Sequence, residues 1–193
     1  MVAVKTLKTP VSLRVVRSAT EISDGEAFAR VAAGERSALG VVFDRHSRPL
    51  LQFAMRVAGR ADAEDVVQTT FERATSLAAS FDREATSARP WLFAIASRVV
   101  LERRRAFARF AAALARLGSS APPPSQLDTA RLDVLDGLER LAPAKRVTLV
   151  LAEIEGYRCE EIARMLDVPV GTVWTRLHHA RTEMRAFLAE GKP

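Results

Sequence analysis

Residues 160–185 read EEIARMLDVPVGTVWTRLHHARTEMR. Ile162, Ala163 and Leu166 give a short first helix an inner face, and Asp167-Val168-Pro169-Val170 makes a turn. Gly171 then opens a second helix, in which Val173, Leu177, Ala180 and Met184 recur at intervals of four, three and four. That spacing puts them on one buried stripe. Ala163 is small enough to let two helices cross closely. A short helix, a tight turn and a longer helix form a helix-turn-helix pattern. The stripe leaves Thr172, Trp174, Thr175, Arg176, His178, His179, Arg181 and Thr182 on the outside. A second helix with such a face fits the major groove of DNA. There Arg can bond guanine through two contacts and Thr can meet a thymine methyl or a phosphate. The plainer alternative is a helical hairpin with a polar face. The turn length and Ala163 favour the DNA-binding reading. His178 and His179 are adjacent and point about 100° apart on a helix. They are not placed to share a metal, so a phosphate or base contact is expected. His46 stands alone and is expected as a half-buried helix residue.

The rest of the chain is also helical in pattern. Apolar residues make up 48% of the 193 and charged residues 27%, which suits a soluble chain with a packed core. Lys and Arg exceed Asp and Glu by 29 to 23, and this net charge of +6 favours a polyanionic partner. The single cysteine, Cys159, can form neither an internal disulfide nor a cysteine-based zinc cluster. No apolar run approaches the roughly 18–20 residues that span a bilayer, so no membrane insertion and a cytoplasmic location are expected. No metal ligand set, cofactor loop or nucleophile–base pair is recognisable, so no cofactor and no enzymatic activity are expected.

An all-α chain of two small helical domains, joined by a flexible Pro-rich linker, follows. Residues 1–22 read as a disordered basic arm, in which 11–16 could form a short strand against a partner. Residues 23–117 form the first domain, and 118–128, GSSAPPPSQLD, the linker, because consecutive prolines deny a helix its N–H groups. Residues 129–193 form the second domain. In the first, Ser23 or Asp24 can cap a helix ending near Gly34. A second helix runs from about Arg36 to Ala58, with Leu39, Val42, Phe43, Leu50, Phe53, Ala54 and Val57 inward, and Pro49 should bend or split it. Asp62 is expected to cap a third helix with its carboxylate. Residues 80–90 form a loop, and a fourth helix runs from Trp91 to about Ala115. The second domain is expected to hold helices at about 129–141, 143–155, 160–166 and 171–189.

Two further patterns bear on function. On the third helix, Glu64, Asp65, Gln68 and Glu72 crowd one outward face. Like charges at such spacing weaken an isolated helix, and a basic protein partner would offset that. A plain solvated face is the alternative. The fourth helix opens WLFAIASR and ends Glu102-Arg103-Arg104-Arg105. Aromatic rings can stack on bases freed from a duplex while arginines hold phosphates. Phe93 is expected in the core, whereas the preceding loop and Arg98 to Arg105 are expected to meet nucleic acid.

Taken together, these segments resemble the extracytoplasmic-function (ECF) group of the bacterial sigma-70 factors. The resemblance rests on ADAEDVVQ at 61–68, RPWL at 89–92, PVGTV at 169–173, and Arg176-Leu177-His178 with Ala180-Arg181. It covers about 43–105 as sigma region 2 and 138–188 as sigma region 4. It implies a promoter-specificity subunit that binds core RNA polymerase through the β′ and β subunits. Asp62, Asp65, Gln68 and Glu72 would grip the β′ coiled coil. Arg83, Trp91, Arg98, Glu102 and Arg103 would capture the opened minus-ten element. Arg158, Thr172, Trp174, Thr175, Arg176, His178, His179 and Arg181 would read the minus-thirty-five element. It also implies an anti-sigma factor as partner, since such factors are commonly held inactive by one. The chain departs from the family pattern at Ser97-Arg98, Glu102, Arg158, Cys159 and Trp174. A stand-alone helix-turn-helix regulator is the other reading, but it leaves the acidic and aromatic blocks without a role.

Overall fold

In the computed structural model, residues 22–116 and 134–190 are described. The expected basic arm, apart from Ile22, the linker at 118–128 and the start of the helix at 129 lie outside them. The first group of helices is α1 (Asp24–Ala32), α2 (Leu39–Ala58), α3 (Ala63–Ser76) and α4 (Arg89–Arg116), with short 3-10 turns at Arg36–Ala38 and Ala78–Ser80. The second group is α5 (Val134–Arg140), α6 (Pro143–Leu149), α7 (Cys159–Leu166) and α8 (Val170–Glu190), with α6 running on as a π-helical stretch over Val150–Ile154. Among the described residues there is no strand.

Local chemistry sets most helix ends. Ser23 is the residue that caps α1, its hydroxyl accepting from the Glu26 N–H at 3.1 Å. Asp62 does not cap α3 as expected: its side chain makes no capping bond. Its backbone is already helical (φ −96°, ψ −7°), whereas a capping side chain needs the extended backbone that Ser23 has. Pro49 does not split α2, which is continuous over 39–58. Burial of Val42, His46, Leu50, Phe53, Ala54 and Val57 on one face of α2 outweighs the hydrogen bond that the proline cannot make. The turn inside residues 160–185 closes with Asp167 in the left-handed region (φ 54°), a conformation that Asp tolerates better than most residues.

The first group packs around aromatic rings. Phe53 and Phe93 are fully buried and stacked at 4.5 Å, so Phe93 is core as expected. Phe28, Phe81 and Trp91 form a triangle with ring centroids 4.7–5.1 Å apart. Each of the buried Phe rings contributes about 1.5–3 kcal/mol. The second group packs smaller aliphatic residues. Val173, Leu177 and Ala180 of α8 are buried where α8 packs on α6 and α7, and Phe187 extends the expected stripe beyond the half-buried Met184. Ile22, which the sequence assigns to the arm, is 8% exposed and belongs to the core.

The two groups do not stand apart. Helix α7 packs on α4, α5 on α2, and α6 on both. Phe93 and Tyr157 meet edge-on at 6.4 Å, and buried apolar residues run without a break from one group into the other.

Candidate nucleic-acid and polymerase interfaces

One expected interface lies on α3. Ala63, Val66, Thr70, Phe71 and Ala74 face the core, which turns Asp62, Glu64, Asp65, Gln68 and Glu72 outward. Gln68 donates to Glu72 at 2.9 Å. Beside them α2 and α3 leave a groove of about 620 Å³, lined by Leu39, Phe43, Leu51, Val67 and Phe71 together with Glu64, Gln68 and Glu72. Phe43, expected inward, is 48% exposed here and contacts Phe71 at 5.0 Å. The sequence signal for this groove was an apolar stripe on α2 too wide for one buried face. An apolar trough with an acidic edge fits a helical partner that carries apolar and basic residues.

The second expected interface is the loop before α4 and the outer face of α4. Arg83 is exposed in the loop. The loop is held from behind by α1. Asp24 is 6% exposed and accepts from the Ala88 N–H at 2.8 Å, from Arg45 at 2.9 Å and sits 2.7 Å from His46 Nε2. His46 is therefore buried and partnered, deeper than expected. Burial pushes the Asp24 carboxyl up, but the Ala88, Arg45 and His46 hydrogen bonds outweigh it, and its pKa lies below the ordinary value. A Cβ at Gly25 would stand 2.3 Å from the Arg83 carbonyl oxygen, so α1 and the loop touch backbone to backbone.

On α4, Trp91 is half-buried and Arg98 is exposed. Glu102 accepts from Arg73 at 2.7 Å, and this bond holds its pKa below the ordinary value. Arg103 donates to Thr69 at 2.8 Å and to the Asp65 carbonyl at 3.3 Å, with the Asp65 carboxylate 3.7 Å away. Ser97, at a departure from the family pattern, is buried and donates to the Phe93 carbonyl at 2.7 Å. The expected minus-ten residues Glu102 and Arg103 are thus tied to the helix that carries the expected polymerase-binding residues.

The third expected interface is α8. Trp174 is 57% exposed, and Thr175, His178 and His179 are exposed beside it. Thr172 and Arg176 are half-buried. Arg181 is exposed and bonded to Glu153 at 2.5 and 2.9 Å. Burial lowers the pKa of the Arg176 guanidinium, and the charge of Arg105 on α4 adds to it. Arg158 is exposed at the start of α7, where the Glu161 carboxylate accepts its N–H at 2.7 Å. That bond starts α7 firmly without a capping hydroxyl. Among the described residues no His, Cys, Asp and Glu group could hold a metal. No described helix is long and apolar enough to cross a membrane.

The pattern of Sigma-70 region 2 matches residues 42–110 and that of Sigma-70 region 4 matches 131–184. The ECF RNA polymerase sigma factor SigL of Mycobacterium tuberculosis is 33% identical over 166 residues, covering 82% of this chain and 93% of SigL. The chain belongs to the ECF group of sigma-70 factors. Such a factor binds core RNA polymerase and directs transcription initiation at specific promoters through DNA binding. The structure of CnrH in complex with the cytosolic domain of CnrY aligns with a TM-score of 0.60 at 29% identity, over 88% of this chain and 99% of CnrH. The sigma factor RpoE of Bartonella quintana, solved with the anti-sigma factor NepR, shares the fold with a TM-score of 0.60 at 24% identity, over 81% of this chain and 98% of RpoE.

Arg56, Arg146 and Glu155 escaped the sequence reading, and Arg89 entered it only as part of the RPWL motif. The Glu155 side chain is 3% exposed and is bonded to Arg56 at 3.4 Å and Arg89 at 2.5 Å. Arg146 is 4% exposed, and its pKa is pushed down by burial and by Arg104, with Glu139 opposing. No local periodicity marks the pairing of Glu155 with Arg56 and Arg89, or of Arg146 with the Val57 carbonyl, because these partners lie in the other half of the chain.

Proposed function

We propose that this sigma factor divides its work among three faces. Asp62, Asp65, Gln68 and Glu72, with the apolar groove beside α3, grip the β′ coiled coil of core polymerase. Arg83, Trp91, Arg98, Glu102 and Arg103 hold the opened minus-ten element. Arg158, Thr172, Trp174, Thr175, Arg176, His178, His179 and Arg181 read the minus-thirty-five element. The chain has no catalytic centre of its own, works in the cytoplasm, and lowers the barrier to strand opening by catching unstacked bases. Unstacking costs a few kcal/mol, as a rough figure, which a pocket beside Trp91 would offset. Residues 23–117 act as the first functional unit and 129–193 as the second. An anti-sigma protein regulates it, as NepR pairs with RpoE in the related fold.

The observation that carries this reading is the exposed row Trp174, Thr175, His178 on a helix whose opposite face is fully buried. Such a row has no packing role and is presented to the major groove. Run-off transcription on genomic fragments, with core polymerase and with or without this chain, tests it. Start sites that appear only when the chain is added are expected. If core binds the chain but no new start site appears, the promoter assignment is wrong.

A further inference from the structure

Helix α8 carries a second stripe, away from its buried one. Gly171, Trp174, Thr175 and His178 recur at intervals of three, one and three, so they fall within about 100° of one another around the helix. All four are exposed, whereas Val173, Leu177 and Ala180 are buried. They stand in the first turns of α8, the part of a second helix that meets base edges in the major groove.

The chemistry of this stripe is largely apolar. The Trp174 ring is 57% exposed and carries one polar group, its Nε1–H. The Thr175 hydroxyl donates to the Gly171 carbonyl at 2.9 Å, so its one O–H is spent inside the helix. What Thr175 still offers a partner is a methyl and an acceptor. Thr182 likewise donates to the His178 carbonyl at 3.0 Å. Arg181 is bonded to Glu153, and Arg176 is half-buried. Gly171 adds a gap. A Cβ there would meet nothing within 4 Å, so the backbone is bare between Trp174 and Thr175. The gap has the size of the methyl that glycine lacks.

Most polar groups of the major groove are acceptors: N7 and O6 of guanine, N7 of adenine and O4 of thymine. This stripe has few hydrogens left for them. The apolar group that a base edge presents there is the C5-methyl of thymine. Trp174 also departs from the family pattern, so a reading specific to this chain is required at its position.

We infer that α8 selects a T·A pair in the upstream element by its methyl, seated over Gly171 between the Trp174 ring and the Thr175 methyl. The inference rests on the sigma-factor reading above and names what this face of the helix selects. Burial of one methyl corresponds to about a fourfold change in affinity.

The test uses holoenzyme made from core polymerase and the full chain, on a linear duplex with a start site found by run-off transcription. The upstream element is made once with thymine and once with uracil, which keeps the hydrogen-bonding groups of the base and removes the methyl. Wild-type holoenzyme should bind the uracil duplex about fourfold more weakly for each methyl it seats. Trp174→Ala should bind the two duplexes alike. So should Gly171→Ala, which fills the gap. Its thermal stability should be unchanged or raised, because the added methyl has room and alanine favours a helix. Thr175→Val keeps a methyl, drops the hydroxyl and should retain the preference. Thr175→Ser does the reverse and should weaken it.

Equal binding of the two duplexes by the wild type, or an upstream element without a T·A pair, overturns the methyl reading and leaves the sigma-factor reading standing. A preference kept by Thr175→Ser and lost by Thr175→Val does the same, since it belongs to the hydroxyl. A preference that survives in both Trp174→Ala and Gly171→Ala also overturns it, since it then arises in the duplex. A chain that binds core but directs it to no start site overturns the promoter assignment itself, and the methyl reading with it.

Discussion

The two helices proposed to face DNA are built in opposite ways. Helix α4 is tied down: Glu102 and Arg103 are bonded to α3, and the loop before it is pinned by Asp24 and pressed by Gly25. Helix α8 presents Trp174, His178 and His179 with no hydrogen bond to a neighbouring helix, and its ties lie beside them, Arg181 to Glu153 and Glu183 to Lys145. The difference matches two tasks. A surface that must hold a strand away from its complement has to resist the pull of re-pairing, so rigidity counts. A helix that enters a preformed groove needs side chains free to settle on base edges. The same ties make α3, the proposed polymerase-binding helix, and α4, the proposed minus-ten helix, one block.

Substitutions can break this contrast. The largest effect is expected from Phe53→Ala, which removes half of the stacked Phe53–Phe93 pair in region 2. A loss of about 3–5 kcal/mol is expected, read by urea unfolding of a Trp174→Phe chain whose remaining tryptophan, Trp91, reports on region 2. A loss below about 1 kcal/mol, the value of a surface change, would mean that the aromatic core does not hold α4 in place.

Asp24 gives the next effect, and it depends on pH. Its folded pKa lies below the ordinary value, so the carboxylate stabilises the fold fully above the unfolded-state pKa of about 4 and loses that contribution as pH falls through the folded value. Asp24→Asn should lower stability at neutral pH and flatten the acid limb of the stability curve. Denaturant melts between neutral pH and pH 3 measure both. Parallel curves for the two proteins would show that Asp24 does not pin the loop.

Gly25→Ala sharpens the contrast within function. The added methyl meets the Arg83 backbone, which cannot swing aside as a side chain can. Promoter opening with core should fall several-fold while binding of core is retained, as potassium permanganate footprinting and a pull-down would report. On the other side of the contrast, Trp174→Ala should shift or weaken upstream-element preference and leave core binding intact. Loss of core binding in Trp174→Ala would contradict the division of labour between the regions. The smallest effect is expected from Glu102→Ala. Its bond to Arg73 is exposed, so stability should change by less than about 1 kcal/mol in a thermal melt.

Much of the helix-turn-helix was legible because its signals are local. The stripe Val173, Leu177, Ala180, the small Ala163 and the turn at Asp167 each act within a few residues, and the structure buries or turns each of them as the spacing implies. The outward acidic face of α3 was legible for the same reason. Asp62 was misread because the capping rule needs an extended backbone, and the backbone at Asp62 is helical; at Pro49 the packing of α2 keeps the helix from splitting.

The sequence by itself determined the helices, most of their inner faces and the family, since periodicity, turn chemistry and motif order are written along the chain. Only the tertiary structure decided that Arg103 sits on Thr69, that Asp24 holds the Ala88 backbone, and that Glu155 lies between Arg56 and Arg89. These pairs are 34, 64, 99 and 66 residues apart along the chain. A charge pattern names which residues can pair, but burial and the meeting of distant helix ends choose the pairs, and neither is a local property of the sequence.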